Sequence, residues 1–316
     1  MVSVETSRPL VSVAILTWNR RRQVLRAIES VMNQSYRPVE IVVVDSASTD
    51  GTVDAITTRY PTIKVIRLHK NLGCPEGRNV ALANCTGDVL YALDDDGWLA
   101  ENTLQVCVDR LKMNPCCGVV CCRVLSPGAS VGGSDPDEVR HTFDGGASAF
   151  RKEILQVAGF YPSDFFRQGE EGDLALRIIE SGYSILYCPE AVMFHETVPL
   201  GRTNKLLWYY GCRNELITVL RRYPWVLVVP VALQKIVVWT ALGISRRALA
   251  HTLRGVCHVF TRLPQVLCER KQVSFATIRE VFRLKMAFKR NAWALSAKKP
   301  DMAPIHAPNG KGLHGC

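Results

Sequence analysis

The run Val89-Leu90-Tyr91-Ala92-Leu93-Asp94-Asp95-Asp96-Gly97 constrains this 316-residue chain more than any other stretch. Apolar, strand-forming residues lead into three consecutive carboxylates and a glycine, so a buried strand ends in concentrated negative charge. Adjacent Asp side chains repel one another and Asp is a poor strand former, which places the charge at the strand's exit. A divalent cation with oxygen ligands would neutralise it. Asp-Gly is also an ordinary turn pair, so the run alone leaves a solvated turn and a cation site both open.

The segments around it repeat one pattern. Val11–Leu16 is an apolar run ending in Thr17-Trp18-Asn19, and Arg21–Met32 places Val24, Leu25, Ile28, Val31 and Met32 at helical spacing. Val39–Val44 ends at Asp45, a turn follows through Gly51, and Thr52–Arg59 reads as a helix. Lys64–Leu68 is a third strand, Gly77–Asn84 a third helix and Val89–Leu93 a fourth strand. Strands alternating with helices imply an α/β fold of parallel βαβ units, whose ligands sit beyond the carboxyl ends of the strands. Thr17, Asp45, the loop after Leu68 and Asp94 to Asp96 all fall on that edge.

Several classes are disfavoured. No glycine-rich dinucleotide fingerprint or Walker loop follows the first strand, which argues against hydride transfer and P-loop chemistry. Asn71-Leu-Gly-Cys-Pro-Glu-Gly-Arg78-Asn79 instead puts glycines, a cation and an amide at a helix start, suited to phosphate or equally to a plain loop. Met1–Pro9 lacks an apolar signal core, so a reducing compartment is expected and the 12 cysteines read as thiols. Cys116-Cys117 and Cys121-Cys122 lack the spacing of a zinc or iron–sulfur site, and Gly118–Leu125 reads as a strand in which they pack. Cys74, Cys85 and Cys107 read as packing residues.

Beyond a Gly/Ser/Pro-rich stretch, Ser126–Pro136, expected to be mobile, Phe143–Arg151 reads as a glycine-bearing lead into a helix at Lys152–Val157. Gly169-Glu170-Glu171-Gly172-Asp173 opens another helix, where acidic residues are also ordinary complements of the helix dipole. A strand pair, Ser184–Cys188 and Ala191–Phe194, ends at His195.

Taken in order, the segments holding Thr17 to Arg20, Asp45 to Thr52, Asn71 to Asn79, Asp94 to Asp96, Glu170 to Arg177 and Pro189 to His195 resemble the motifs of family-2 glycosyltransferases, including rhamnosyltransferase-like members. The resemblance covers roughly residues 10–220. It implies the GT-A fold and inverting, metal-dependent transfer from a nucleotide sugar. Thr17 and Asp45 then match positions that hold the nucleoside, and Arg78 one close to the sugar nucleotide. Asn19, Asn71 and Asp95 join the donor-binding set. Asp94 and Asp96 match the outer residues of the D-x-D motif, which meets Mg2+ or Mn2+, and His195 a position that completes the metal or diphosphate site. The family's Glu-Asp pair, which carries the catalytic base, stands here as Glu170-Glu171. The departure leaves the choice of base open. It also keeps in play a catalytically silent nucleotide-sugar-binding or membrane-scaffold protein. A sugar-phosphate nucleotidyltransferase is a further rival, though its glycine-rich arginine loop is missing.

Charge divides the chain. Residues 1–199 carry 19 Lys and Arg against 25 Asp and Glu, whereas residues 200–300 carry 19 against 3. The expected organisation is a catalytic domain over 1–199, a basic helical extension over 200–300 and a disordered tail over 301–316. Trp225–Leu242 is apolar apart from Gln234 and Lys235 and is broken by Pro230, which favours a core or interfacial helix over a spanning one. Arg246, Arg247, Arg254, Arg262 and Arg270 alternate with apolar residues, as in helices lying on anionic lipid. Nucleic acid would answer the same charge, but no nucleic-acid motif accompanies it. The expectation is a cytoplasmic enzyme, peripheral on the inner face of the membrane, acting on a glycan, lipid-linked or other hydroxyl acceptor.

Overall fold

In the computed structural model the described residues are 8–132, 136–196 and 204–297. The boundary near Pro199, the tail beyond 300 and part of the Ser126–Pro136 stretch therefore lie outside them. Nine strands form one sheet: β1 (Val11–Thr17), β2 (Val39–Asp45), β3 (Lys64–Arg67), β4 (Val89–Asp94), β5 (Gly97–Leu99), β6 (Cys117–Leu125), β7 (Glu138–Arg140), β8 (Ala147–Arg151) and β9 (Ser184–His195). Their order is β3-β2-β1-β4-β8-β6-β9-β5, with β7 on β9. The first four are mutually parallel, while β8 runs antiparallel to both β4 and β6.

Helices cover both faces because the strands are apolar on both. Val13, Ile15, Ile41, Val43 and Tyr91 face one buried cluster, with Val24, Ile28 and Val31 of α1 (Arg21–Met32), Ile56 of α2 (Thr52–Arg59) and Leu104 and Leu111 of α4 (Thr103–Met113). Ala14, Val42, Val44 and Leu90 face the other, with Leu82 of α3 (Cys74–Ala83), Ile154 of α5 (Lys152–Ala158) and Leu174 and Ile178 of α6 (Glu170–Glu180). This alternation is the period of two expected of a doubly covered sheet.

Four local differences from the sequence reading have physical causes. The helix expected at Gly77 starts at Cys74, because Pro75 is tolerated in a first turn and Gly73, at φ 86°, supplies the entry. Ala147–Arg151 is a central strand, not a lead into a helix. Its small residues carry little β propensity, and pairing with β4 and β6 overrides that. Ser184–His195 is one strand, since pairing to β6 steps from Cys122 opposite Cys188 to Arg123 opposite Val192, and residues 189–191 bulge out around Pro189, which has no N–H to pair. The short strands β5 and β7 carry no signal strong enough to be anticipated, whereas α4 has apolar Leu104, Cys107, Val108 and Leu111 at helical spacing and is simply absent from the sequence reading.

Five helices follow: α7 (Asn204–Arg222), α8 (Trp225–Ser245), α9 (Leu249–Thr261), α10 (Leu263–Cys268) and α11 (Phe275–Ala297). They dock on the sheet domain through Phe165, which joins Cys212, Leu216, Ile217, Val259 and Val266 in a buried cluster. Only 11% of the apolar stretch of α8 is buried, so it is not a core helix. Arg262 and Arg270 are not free for lipid. Arg262 pairs with Asp164 at 3.3 Å, and Arg270 donates to the carbonyls of Leu220 and Tyr223.

The joint between α6 and α7 is polar. Asp173, fully buried, accepts from Arg177 at 2.9 Å and from Arg222 Nε and Nη2 at 2.7 and 3.2 Å. Removing its charge strands two guanidiniums in the interior, so Asp173→Ala is expected to destabilise the protein by about 3 to 5 kcal/mol in urea unfolding. A loss under about 1 kcal/mol, the range of a surface pair, would contradict this account of the joint.

Candidate active site

The carboxyl ends of β1, β2 and β4 lie level, with Thr17 opposite Asp45 and Leu16 opposite Asp94. There a cleft of about 730 Å³ opens, lined by Thr17, Arg20, Ser46, Asn71, Arg78 and Asp94 to Asp96 on the sheet side and by Phe166 to Glu171 and Leu207 on the other. Its size suits a small-molecule site, for which pockets of about 300 to 1,000 Å³ are typical.

At the first end, Asp45 is fully buried. Its Oδ2 accepts from Ser48 N at 2.9 Å, while its Oδ1, Thr17 Oγ1 and Ser46 Oγ find no partner among the described residues. Three orphaned polar atoms side by side are costly unless something hydrogen-bonds to them. Asn19, by contrast, is a loop brace. At φ 51° its N–H donates to Ser48 Oγ and its Oδ1 accepts from Thr49 N, and it does not line the cleft.

In the middle, Asp94, Asp96 and His195 bring one ligand atom each to within 4.8 Å of one another. His195 Nε2 lies 2.9 Å from Asp96 Oδ1 and 3.9 Å from Asp94 Oδ2. Two carboxylates and an imidazole fit Mg2+ or Mn2+ better than a softer ion. Asp95 turns instead to Arg20, at 2.6 Å, and Arg20 also meets Asp96 at 2.9 Å. Burial pushes the Asp95 carboxyl up to about 6 against the pull of Arg20.

Arg78, 8% exposed, joins this cluster to the far wall. Its Nη2 donates to Asp94 Oδ1 at 2.5 Å, and its Nη1 lies 3.7 Å from Glu171 and 3.9 Å from Glu170. Gly145 and Gly146 make room for this contact: a Cβ on Gly146 would sit 2.1 Å from the Asp94 carboxylate carbon, and one on Gly145 would sit 2.5 Å from Arg78 Nη1. The helix start expected to receive phosphate is otherwise engaged. Cys74 N donates to Phe166 O at 2.9 Å, Asn71 Oδ1 accepts from Gly73 N, and Asn79 braces Tyr161. Cys74, read as a packing residue, lines the cleft.

Glu170 and Glu171 open α6 behind Gly169, at φ 82°. Asn214 of α7, fully buried, fixes the preceding loop by donating to Arg167 O at 2.8 Å and Gln168 O at 2.7 Å. The Glu170 side chain is 4% exposed and that of Glu171 26%, so Glu171 is the one open to the cleft. Burial, then the charge of Glu170, pushes the Glu171 carboxyl up to about 8. The sequence reading does not single out Arg20, Gln168, Leu207 or Asn214, and takes the Gly145-Gly146 pair only as part of a glycine-bearing lead into a helix. Of these, Arg20 stands inside a motif where it could be noticed.

The comparisons with known proteins bear on this arrangement. Residues 12–166 match the family described as glycosyl transferase family 2. That segment belongs to the family. It is 38% identical over 111 residues to a putative teichuronic acid biosynthesis glycosyltransferase of Bacillus subtilis, a match covering 33% of this chain and 44% of that protein. It is 25% identical over 217 residues to a glucosyl-dolichyl phosphate glucuronosyltransferase of Haloferax volcanii, covering 59% and 69%. The match to most of the first curated relatives spans less than half of their length. A solved mannosyltransferase from Pyrobaculum calidifontis, in complex with GDP-Man and Mn2+, superposes with a TM-score of 0.56 at 22% identity over 93% of this chain and 82% of that one. The fold of this family-2 chain is thus GT-A, as the order of motifs implied.

The raised Glu171 has a measurable consequence. Its ordinary value is 4.5, so between that pH and about 8 the folded chain holds a proton the unfolded chain has lost. Stability from this group is therefore full below 4.5 and declines as pH rises through about 8. Urea midpoints taken across that range are expected to fall less steeply for Glu171→Gln than for the parent, and parallel profiles would contradict the assignment.

Proposed function

We propose that this chain transfers a sugar from a nucleotide-activated donor to a hydroxyl acceptor, with Mg2+ or Mn2+ and with inversion at the sugar carbon. One observation carries the reading: the cluster of Asp94, Asp96 and His195, which could hold a cation, and a separate carboxylate pair are joined by Arg78, whose Nη2 meets Asp94 and whose Nη1 lies 3.7 Å from Glu171 and 3.9 Å from Glu170. The orphaned polar atoms of Thr17, Asp45 and Ser46 support a nucleoside at one end.

Asp94, Asp96 and His195 would hold the ion, which when bound supplies positive charge to a leaving diphosphate. Arg78 adds a fixed cation beside it, where negative charge builds as the sugar–phosphate bond breaks. Glu171, open to the cleft, takes the proton of the attacking acceptor hydroxyl when ionised, which its value of about 8 favours toward alkaline pH, and burial with the like charge of Glu170 makes it the stronger base. One base with no covalent nucleophile gives a single in-line displacement, hence inversion. The catalytic unit on this reading extends past residue 199, because α7 supplies Leu207 to the cleft wall and Asn214 to the base's loop. The named relative in teichuronic acid biosynthesis supports a role in surface or envelope glycan synthesis, with the enzyme on the inner face of the membrane.

Two measurements test this. Asp96→Asn is expected to abolish the Mn2+-dependent rise in melting temperature caused by nucleoside diphosphate, while leaving the metal-free melting temperature unchanged or higher. Unaltered metal-dependent binding would remove Asp96 from the site. Glu171→Gln keeps shape and loses basicity, so transfer should fall by about 10² to 10⁴-fold with donor binding preserved. Full activity there, with collapse in Glu170→Gln, would move the base one residue back. A parent chain that binds nucleotide sugars yet neither transfers nor hydrolyses them would instead favour the silent binding protein.

A further inference from the structure

We propose that the outward face of α8, continued by α9, lies in the plane of an anionic lipid surface, and that the acceptor of the neighbouring cleft is carried on that lipid. The second half of this statement rests on the glycosyl-transfer reading; the first half does not.

The face is apolar and unpartnered among the described residues. Val226, Val229, Leu233 and Val237 are 71, 65, 57 and 67% exposed, at the three- and four-residue spacing that aligns side chains along one side of a helix. On α9, Leu253 and Phe260, two turns apart, are 45 and 63% exposed. Of the polar side chains of mid-α8, Gln234 is exposed while Lys235 and Trp239 turn inward. Lys235 Nζ lies 2.9 Å from Glu215 Oε1 and Trp239 Nε1 donates to Glu215 Oε2 at 2.7 Å, Glu215 being on α7.

Charge identifies the occupant. Residues 225–261 hold Lys235, Arg246, Arg247 and Arg254 and not one Asp or Glu. Arg246, Arg247 and Arg254 are exposed, at the carboxyl end of α8 and on α9. An apolar stripe bordered by arginines fits acyl chains bordered by anionic headgroups. A second copy of this chain fits poorly, since a two-fold contact would set like charges against each other.

The same packing argues against a spanning helix, although α8 is long and apolar enough to cross a bilayer. Its inner face is bolted to α7. That helix is bound in turn to the sheet domain through Arg221 on Asp164, at 2.9 Å, and Arg222 on Asp173, at 2.7 Å. Threading α8 through hydrocarbon would drag those ion pairs with it or break them, at a cost of several kcal/mol for each buried ion.

The helix that carries the lipid face also stands beside the cleft wall. On its inner side Trp239 meets Trp208 edge-on at 5.5 Å between ring centroids, and the residue before Trp208, Leu207, lines the same cleft as Glu171. A lipid-borne acceptor would therefore enter the cleft from the α7 side.

The test uses the full chain and vesicles with and without anionic phospholipid. Sedimentation with anionic vesicles, weakened on neutral ones and reversed by alkaline carbonate, is the expected result. The double variant Leu233→Glu, Val237→Glu, outside the cleft, should lose at least an order of magnitude in vesicle affinity while its melting temperature still rises with nucleoside diphosphate and Mn2+. Equal binding by the variant, no binding by the parent, or retention through carbonate each overturns the in-plane surface. So does a parent dimer that the variant dissociates without any vesicle binding. Vesicle binding with no nucleotide response overturns the transfer reading and leaves the surface standing. Transfer to a soluble sugar acceptor as fast as to a vesicle-borne one overturns the lipid acceptor alone.

Discussion

A guanidinium buried among carboxylates holds the two halves of this cleft together. Arg78 stands between Asp94 at the end of β4 and Glu171 at the start of α6, its side chain 10% exposed while the two carboxylates reach it from the cleft. The cost of burying a cation is offset only where opposite charge surrounds it. A second arginine, Arg20, does the same for Asp95 and Asp96. The three-aspartate run that looks untenable in the sequence is tenable because two arginines from separate segments divide its charge. One is the residue before α1 and the other lies in α3, so the donor side of the cleft is assembled from three βα units at once.

How much of this was legible follows from where each signal lived. The parallel half of the sheet was readable nearly residue by residue, since Val11–Thr17, Val39–Asp45 and Val89–Asp94 are continuous apolar runs ended by polar residues. The antiparallel half was not. Ala147–Arg151 owes its extended form to partners more than twenty residues away on either side, and nothing local announces it. Among site residues, Asp94, Asp96, Arg78, Glu170, Glu171 and His195 do converge. Asn19 does not, because its conformation at positive φ spends its side chain on Thr49. The glycine pair at 145 and 146 matters through what a side chain there would displace, a property visible only once Asp94 and Arg78 are in place.

The charge asymmetry was legible as composition but not as geometry. Many of the arginines beyond residue 200 are spent inside the protein: Arg213, Arg221 and Arg262 surround Asp164, and Arg222 meets Asp173. Net charge therefore overstates what the surface offers. What remains outside divides between α8–α9, with Arg246, Arg247 and Arg254, and α11 with its approach, with Lys271, Arg279, Arg283, Lys289 and Arg290; only the first group lies in a stretch, 225–261, without acidic residues.

The clamp of Asn214 on Arg167 and Gln168 changes what counts as a self-sufficient piece of this chain. The segment matched to the family ends at residue 166, one position before the loop it clamps. A fragment cut there would lack α6 and β9 altogether, whereas one cut at the change in composition near 200 would retain all nine described strands and the aspartate cluster. It would lose the hand that sets the angle of α6. The helices that look like an appendage act as the fixture against which Glu170 and Glu171 are aligned, so the recognisable module and the foldable one have different edges.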